Sequence, residues 1–430
     1  MVPRGRLGSI DWILKRSLKL SVKSKLSVAA SAFLVTLVVL LISLFMNGIY
    51  EFSASVPYTA TVLTREVLDR IKPESRVFIA MNQINSGIVL PSLLGELRTV
   101  ISVLGHERVF VSAFASQSQD DTSAQLNEFR RWLDRNRVPN NIVVDGLVGG
   151  HSERPSNWNR IKWLSAVRNK AIDHLGEASS KIWSSSMPED IQVLFVNDVF
   201  VSAGEIFHLL ATRGMDYDAV CGLDLHAFFY DNWVTRDRNG YSFSSYYPYV
   251  KDVESQKSVR RGEPFSVNAC WNGIAVLNAK PFLVNNVKFR WEDNFDGHLE
   301  CAQSECYYVH KDFRDAGYGK IYINPQVRVA YEKRWYDFHH YSLLEPLFRA
   351  FFSLVNIHCY RIYIWMLPVR NSDECLFNTA KTENGVWMFV AVVVSLTYIL
   401  ALIAIAYKKV RVNSYLILPT NETRMVSFND

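Results

Sequence analysis

IQVLFVNDVFVSAGEIFHLL, residues 191–210, decides the fold of this chain. Its first half is an uninterrupted apolar run, which predicts a strand buried on both faces of a sheet. Ser202 and Glu205 have the spacing of a capping box and predict that a helix begins there. Asn197-Asp198 stands between strand and helix, at the carboxyl end of the strand, where open α/β sheets bind ligands. Asp198 is therefore a candidate metal or phosphate ligand, although an acidic residue in this place is also a common turn former.

Two uncharged apolar segments, 27–46 and 386–407, bracket most of the chain. Each is about as long as the roughly 20 residues that a helix needs to cross a membrane, so we expect two transmembrane helices. A cleaved signal peptide is the alternative for the first segment. Basic residues precede the first segment and follow the second, which predicts that both termini are cytosolic and that the region between is lumenal or extracellular.

The predicted domain order follows from these two segments. It comprises a cytosolic basic tail (1–26), a transmembrane helix (27–46), a stem (47–75), a lumenal domain (76–340), an amphipathic segment and linker (341–385), a second transmembrane helix (386–407) and a cytosolic tail (408–430). Residues 347–367 are apolar and aromatic but carry charges, so we expect an interfacial helix there, with a third crossing as the alternative.

All six cysteines lie between the two apolar segments. This usage suits an oxidising compartment. Because no CxxC or Cys/His zinc spacing is present, disulfides are favoured over a metal cluster, and the pairing is left open.

The central region alternates short β-branched runs with helical stretches, which predicts an α/β domain with a mostly parallel sheet. The predicted strands are 76–81, 108–114, 141–145, 191–197, 218–224, 272–278 and 327–331. The predicted helices are 91–104, 121–136, 160–175, 203–213 and one around 300–313. The stretch 226–262 has too little periodicity to assign, and its aromatic residues, among them Tyr230 and Trp233, could stack on a ligand or pack internally.

Several functional classes lack support in the sequence. No GxGxxG follows the first predicted strand, and no GxxxxGK[ST], GxSxG or HExxH motif occurs, which disfavours dinucleotide oxidoreductases, P-loop proteins, α/β-hydrolases and zinc proteases. The net charge of +5 owes much to the basic N-terminal flank, so we expect no nucleic-acid partner.

Polar residues at strand ends and in later loops remain as candidates. Oxygen ligands with one histidine suit manganese or magnesium better than zinc. These candidates are Asp198, Asp224, Asp231, Asp237, Asn272, Gly273, Glu292, Asp293, Asp296, Glu305 and His310.

Four basic residues share one predicted helix with Asn169 and could meet a diphosphate: Arg160, Lys162, Arg168 and Lys170. A solvated helix face is the alternative.

Five motifs in this order resemble the fungal α-1,3-mannosyltransferases related to cryptococcal capsule synthesis, over about residues 76–340. They are RIKWLSAVRNKAI (160–172), VLFVNDVFVSAGEI (193–206), CWNGIAVLNAKPF (270–282), SECYYVHKDF (304–313) and INPQVRVAYE (323–332). The resemblance implies a GT-A-type, Rossmann-like glycosyltransferase of the Golgi membrane. It also implies transfer of mannose from GDP-mannose to a glycan acceptor with Mn²⁺ or Mg²⁺ as cofactor.

The resemblance also implies roles for individual residues. Asn197-Asp198 stands where the usual DxD motif would be, so Asp198 and His310 become metal ligands and Asn197 a donor contact. Arg168 and Asn169 are expected at the donor diphosphate, Asn272-Gly273 at the donor sugar, and Glu305 at the acceptor as a catalytic residue together with Asp198. A plain turn at Asn272-Gly273, a surface Glu305 and a core His310 are the alternatives.

Two rival functions stay open at this point. One is a transferase on the same fold that uses UDP-glucose or UDP-xylose. The other is a non-catalytic protein that binds glycans or scaffolds polysaccharide synthesis.

Overall fold

The computed structural model describes residues 62–156, 160–292, 303–346, 348 and 349, together with 30, 31, 33–36 and 38. The chain divides into two compact units, Asn47–Thr382 and a second unit made of Met1–Met46 and Glu383–Asp430. In the second unit the described residues are helical.

The predicted membrane helices fall mainly outside the described residues. The segment 386–407 lies wholly outside them, as does 347–367 apart from 348 and 349, and only part of 27–46 is described. Among the residues that are described, no helix combines the length and the apolar character needed to span a bilayer.

One sheet organises the unit that holds the predicted catalytic domain. Within the described residues it has nine strands, in the spatial order β3-β2-β1-β4-β8-β5-β9-β7-β6. The strands are β1 (Arg76–Gln83), β2 (Val109–Ala115), β3 (Asn140–Val143), β4 (Ile191–Val196), β5 (Ala219–Asp224), β6 (Arg236–Asp237), β7 (Phe265–Ala269), β8 (Ile274–Asn278) and β9 (Ile321–Val329).

The sheet is mixed, which corrects the expectation of a mostly parallel one. β1 pairs in parallel with β2 and β4, and β5 with β9. β8, however, runs antiparallel to both β4 and β5. β7 is antiparallel to β9, so β7 and β8 run in the same direction, and residues 270–273 carry the chain from one side of the β5–β9 pair to the other.

Helices cover both faces of the sheet. They are α1 (Arg65–Asp69), α2 (Leu90–Leu104), α3 (Thr122–Arg135), α4 (Arg160–Ile172), α5 (Ala203–Leu210), α6 (Val253–Arg261), α7 (Lys280–Val284), α8 (Glu305–Asp315) and α9 (Lys333–Tyr341). Short helical turns lie at His106–Arg108, Leu175–Glu177, Ala178–Ile182, Pro188–Asp190 and Thr212–Met215.

Alternate residues of β1 show how the two cores are divided. Ile79 and Met81 lie in the core under α2, α3 and α5, whereas Phe78 and Ala80 lie in the core under α8. This is the two-residue period of a strand that is covered on both sides. The apolar run of β4 behaves in the same way, and all six of its residues are buried.

The predicted start of the helix after β4 is confirmed. The Ser202 hydroxyl accepts a hydrogen bond from the Glu205 amide at 3.3 Å, and the Glu205 carboxylate accepts one from the Ser202 amide at 3.0 Å. This reciprocal box begins α5 at Ala203 and fixes the path of the chain through Asn197-Asp198.

Candidate active site

The candidate site lies where β4, β8 and β5 meet. Asn197 and Asp198 directly follow β4, and Asp224 is the last residue of β5. Because β8 is antiparallel to both neighbours, its first residues and the turn before it lie at the same edge as the ends of β4 and β5. The edge at which open α/β sheets bind ligands thus brings these polar residues together.

The turn Asn272-Gly273 is built into this edge. Both residues have positive φ values, 57° and 74°, which an asparagine tolerates and a glycine adopts freely. A Cβ atom added at Gly273 would stand 2.9 Å from Val199 Cγ1. The Gly273 carbonyl accepts a hydrogen bond from the Asn197 amide at 2.9 Å, so the turn and the end of β4 hold each other in place.

The Asn272 side chain bonds within the fold, and its donor contact stays a prediction. Its Oδ1 accepts a hydrogen bond from Thr235 Oγ1, and its Nδ2 donates one to the Gly222 carbonyl at 2.7 Å. The side chain is fully buried. Its backbone amide instead donates to Asp231 Oδ2 at 3.0 Å and thereby orients that carboxylate.

Three aspartates form a carboxylate cluster: Asp198, Asp224 and Asp231. Burial, followed by the negative charges of Asp231 and Asp198, raises the pKa of Asp224 well above its usual range. Burial also raises the pKa of Asp198 and of Asp231 to about 6. One oxygen of Asp224, Oδ1, is buried without a hydrogen-bond partner in the described part of the chain. Carboxylates close together in a buried site are poorly solvated and repel one another, so a bound cation would stabilise their charged forms.

Arg168 supplies a cation beside this cluster. Its side chain is 9% exposed, and its Nε donates to Glu305 Oε1 at 2.8 Å. Its guanidinium lies 4.2 Å from the ring centre of Trp271 and donates to Asn197 Oδ1 at 3.4 Å. Among the described residues no acceptor pairs with its Nη2, which leaves a donor for an anion.

The other polar residues of α4 do not share this setting. Lys170 pairs with Asp173 on the surface, and Lys162 lies over Trp291. Asn169 uses both ends of its amide on the backbone of Phe289, at 2.7 and 3.0 Å. Asn169 therefore anchors the segment around Phe289, and its donor contact stays a prediction.

Glu305 begins α8 and is buried, so it is not the surface residue that was the alternative. Ser304 Oγ donates to its Oε2 at 3.2 Å, and its Oε1 accepts from Arg168. Its charge also helps to raise the pKa of Asp231. The Glu305 carboxylate is thus bonded to Arg168 beside the aspartates, and its catalytic role at the acceptor stays a prediction.

His310 lies elsewhere. One of its ring nitrogens is within 4.8 Å of the sulphurs of the Cys221–Cys270 disulfide, and its Nδ1 is 2.7 Å from the Cys306 carbonyl. It is fully buried, and no interaction of the described residues joins it to Asp198. Disulfide sulphurs do not bind Mn²⁺, so the surroundings of His310 offer no second metal ligand. No contact supports the predicted metal-binding role of His310 beside Asp198.

Two further residues complete the site, one of them missed by sequence reasoning. Asn197, predicted as a donor contact, accepts a hydrogen bond at Oδ1 from Trp271 Nε1 at 3.3 Å. Its Nδ2 donates to the Tyr331 hydroxyl at 2.9 Å. Asn197 therefore positions its neighbours. Tyr331 was missed; its place just after β9, at the carboxyl end of a strand, was the signal that could have found it.

The residues present fit a divalent cation. Asp198, Asp224 and Asp231 offer carboxylate oxygens, which hard cations such as Mn²⁺ and Mg²⁺ prefer. The unpaired Asp224 Oδ1 is a buried oxygen that a cation would satisfy. Fold and site together define an α/β protein with a carboxylate and arginine site suited to a metal-bound diphosphate.

The chain belongs to the family described as Cryptococcal mannosyltransferase 1, which matches residues 76–312. It is 32% identical over 272 residues to the alpha-1,3-mannosyltransferase CMT1 of Cryptococcus neoformans var. neoformans serotype D. That match covers 57% of this chain and 55% of CMT1, so the chain spans about half the length of this relative. The predicted resemblance and, at the level of the family, the predicted glycosyltransferase are confirmed.

Two solved structures are distantly similar. S. aureus TarS 1–349 in complex with UDP is 10% identical, with a TM-score of 0.32, over 73% of this chain and 70% of that one. Mannosyltransferase PcManGT from Pyrobaculum calidifontis, in complex with GDP-Man and Mn²⁺, is 11% identical, with a TM-score of 0.37, over 86% of this chain and 96% of that one. Likenesses at this level assign neither donor nor metal.

Proposed function

We propose that this chain is a GT-A-type retaining glycosyltransferase that moves mannose from GDP-mannose to a glycan in α-1,3 linkage, with a divalent cation. The observation that carries the proposal is the carboxylate cluster beside Arg168, with the unpaired Asp224 Oδ1 inside it. Membership of a mannosyltransferase family supports the sugar. We further propose a Golgi membrane anchor with the domain lumenal and both termini cytosolic, on the two apolar segments of the sequence.

The chemistry requires that the bond between the mannose C1 and the diphosphate breaks while a bond from C1 to the acceptor oxygen forms. Because an α-linked donor gives an α-linked product, the departing diphosphate can accept the acceptor proton, and a protein base is not obligatory. A divalent cation held by Asp198, Asp224 and Asp231 would neutralise part of the diphosphate charge.

The protein's own residues then act mainly by electrostatics and positioning. Arg168 offers its Nη2 to the diphosphate, where negative charge grows as the bond breaks. Glu305 and Asn197 hold the guanidinium in place through their hydrogen bonds to it. Such fixed charges stabilise the transition state without having to reorganise during the reaction.

The test is transfer by the purified full chain from radiolabelled GDP-mannose to mannan oligosaccharides, with and without chelator. We expect transfer that EDTA abolishes and Mn²⁺ restores. Asp198→Asn should reduce the rate at least about a hundredfold. The matched control is Asp216→Asn, which changes a surface aspartate paired with Lys320 and should leave the rate unchanged.

Parallel assays with UDP-glucose and UDP-xylose separate the rival donors. Transfer from a UDP-sugar, but not from GDP-mannose, would refute the proposed donor. Glycan binding without transfer from any donor would favour the scaffold function. Full activity in Asp198→Asn would refute the proposed site.

A further inference from the structure

The segment 226–262 separates its aromatic residues into two groups. Phe243, Tyr247 and Tyr249 are buried and pack internally. Tyr230, in contrast, is 62% exposed and Trp233 37% exposed. Large aromatic side chains grouped at the surface commonly mark binding sites, because a ligand that covers them removes their apolar surface from water, which is favourable.

The turn that carries these two residues is held rigidly from below. The Tyr230 amide donates to the Asp224 carbonyl at 3.0 Å. The buried Arg236 guanidinium donates to the Trp233 carbonyl at 2.8 Å and to the Thr235 carbonyl at 3.0 Å. The exposure of the two rings is therefore a feature of an ordered turn, and a preordered surface loses little entropy when a ligand binds.

This turn also stands at the rim of the candidate active site. Asp231 follows Tyr230 in the chain, and its Oδ1 has no hydrogen-bond donor among the described residues. The Tyr230 ring meets the ring of Tyr331 edge to face, with 5.8 Å between centres. Tyr331 in turn accepts a hydrogen bond from Asn197, so the rim and the end of β4 are linked.

The distance between the proposed diphosphate position and Tyr230 suits an acceptor sugar at Tyr230, with the transferred sugar between them. Asp198 follows the end of β4, Arg168 of α4 contacts Asn197 beside it, and Tyr230 bonds to the last residue of β5, with β8 between the two strands. Two strand spacings are about 10 Å, which leaves room for one pyranose ring between them.

We propose that Tyr230 and Trp233 form a stacking platform for a hexopyranose of the acceptor glycan. The apolar C–H face of the sugar lies on the aromatic rings. This inference rests on the proposed function. The mannose that is transferred would occupy the space between the platform and the diphosphate.

The test measures initial rates of the full chain with GDP-mannose while an α-linked mannotriose is varied. Tyr230→Ala and Trp233→Ala should each raise the KM for the mannotriose about tenfold, the size of one lost aromatic contact, with the KM for GDP-mannose changed less than twofold. Tyr230→Phe keeps the ring and should stay within about threefold of the wild type. Tyr341→Ala is the matched control, because Tyr341 is 66% exposed on α9, and its KM values should not change.

A rise in the KM for GDP-mannose with an unchanged mannotriose KM would assign the rings to the nucleobase and overturn the platform. If the wild type does not turn over GDP-mannose, the proposed function fails separately, and saturation-transfer NMR with the mannotriose tests the platform alone. The wild type and Tyr341→Ala should then show transfer to the sugar protons, and Tyr230→Ala and Trp233→Ala should not. Equal signals from all four proteins would overturn the proposal.

Discussion

Replacing Glu305 with leucine should lower the free energy of unfolding by about 3–5 kcal/mol. The reason is that the Arg168 charge would stay in a buried site without its partner. The two side chains are 9% and 2% exposed and 2.8 Å apart, so water cannot take the place of the carboxylate. Arg168→Met should also destabilise the chain, because it strands the Glu305 charge and removes the contact with Trp271.

The assay is urea unfolding of the wild type, the two single variants and the double variant. The double variant should be more stable than the sum of the single losses predicts, by about 1–3 kcal/mol. The control cycle uses Lys311 and Asp315, an exposed pair on α8, whose coupling should stay below about 1 kcal/mol. Losses that add within about 0.5 kcal/mol at Arg168 and Glu305 would refute the buried ion pair.

Three other variants or conditions test the same region. Gly273→Ala should cost more than about 2 kcal/mol, because it combines a left-handed backbone with a steric clash. Burial raises the pKa of Asp198 and Asp231 to about 6, so the protonated carboxyl groups favour the folded state. This contribution to the free energy of unfolding is present near pH 4 and is lost as pH rises through 6. Because Mn²⁺ binds the ionised carboxylates, it should raise the melting temperature more at pH 7 than at pH 5. Converting Cys221 and Cys270 to serine opens a 49-residue loop and should cost about 4 kcal/mol in chemical unfolding.

Each of these has its own contradictory result. Gly95→Ala, in the middle of α2 with open space around it, is the glycine control and should stabilise the chain by about 0.5–1 kcal/mol. A Gly273→Ala variant as stable as the wild type would contradict the close approach of Gly273 to Val199. A manganese effect that does not change between pH 5 and pH 7 would contradict the raised pKa values. A serine double variant as stable as the wild type would show that the disulfide does not stabilise the fold.

The local parts of the fold were predictable from the sequence. The apolar run of β4 and the capping box of α5 depend on neighbouring residues, and both are found as expected. β9 begins at Ile321 rather than at 327, because Asn324-Pro325 interrupts its apolar pattern. β7 and α6 were missed, since the first is short and the second largely polar.

The site was predictable only in part, because its assembly depends on distant pairing. Asp198 follows from the end of a single strand, but the approach of Asp224 and Asn272 to it depends on β8 inserting between β4 and β5. The assignment of His310 could have been questioned from helix geometry alone. At 3.6 residues per turn, residues five apart point in directions about 140° apart, so Glu305 and His310 cannot readily face one site.

The most direct test of the account is a calorimetric titration of Mn²⁺ into the full chain, with and without GDP. We predict that the wild type binds the ion, that GDP tightens the binding, and that Asp224→Asn removes most of the heat while the protein stays folded. Equal binding by the wild type and Asp224→Asn, or no binding by either in the presence of GDP, would contradict a carboxylate cluster that holds the cation.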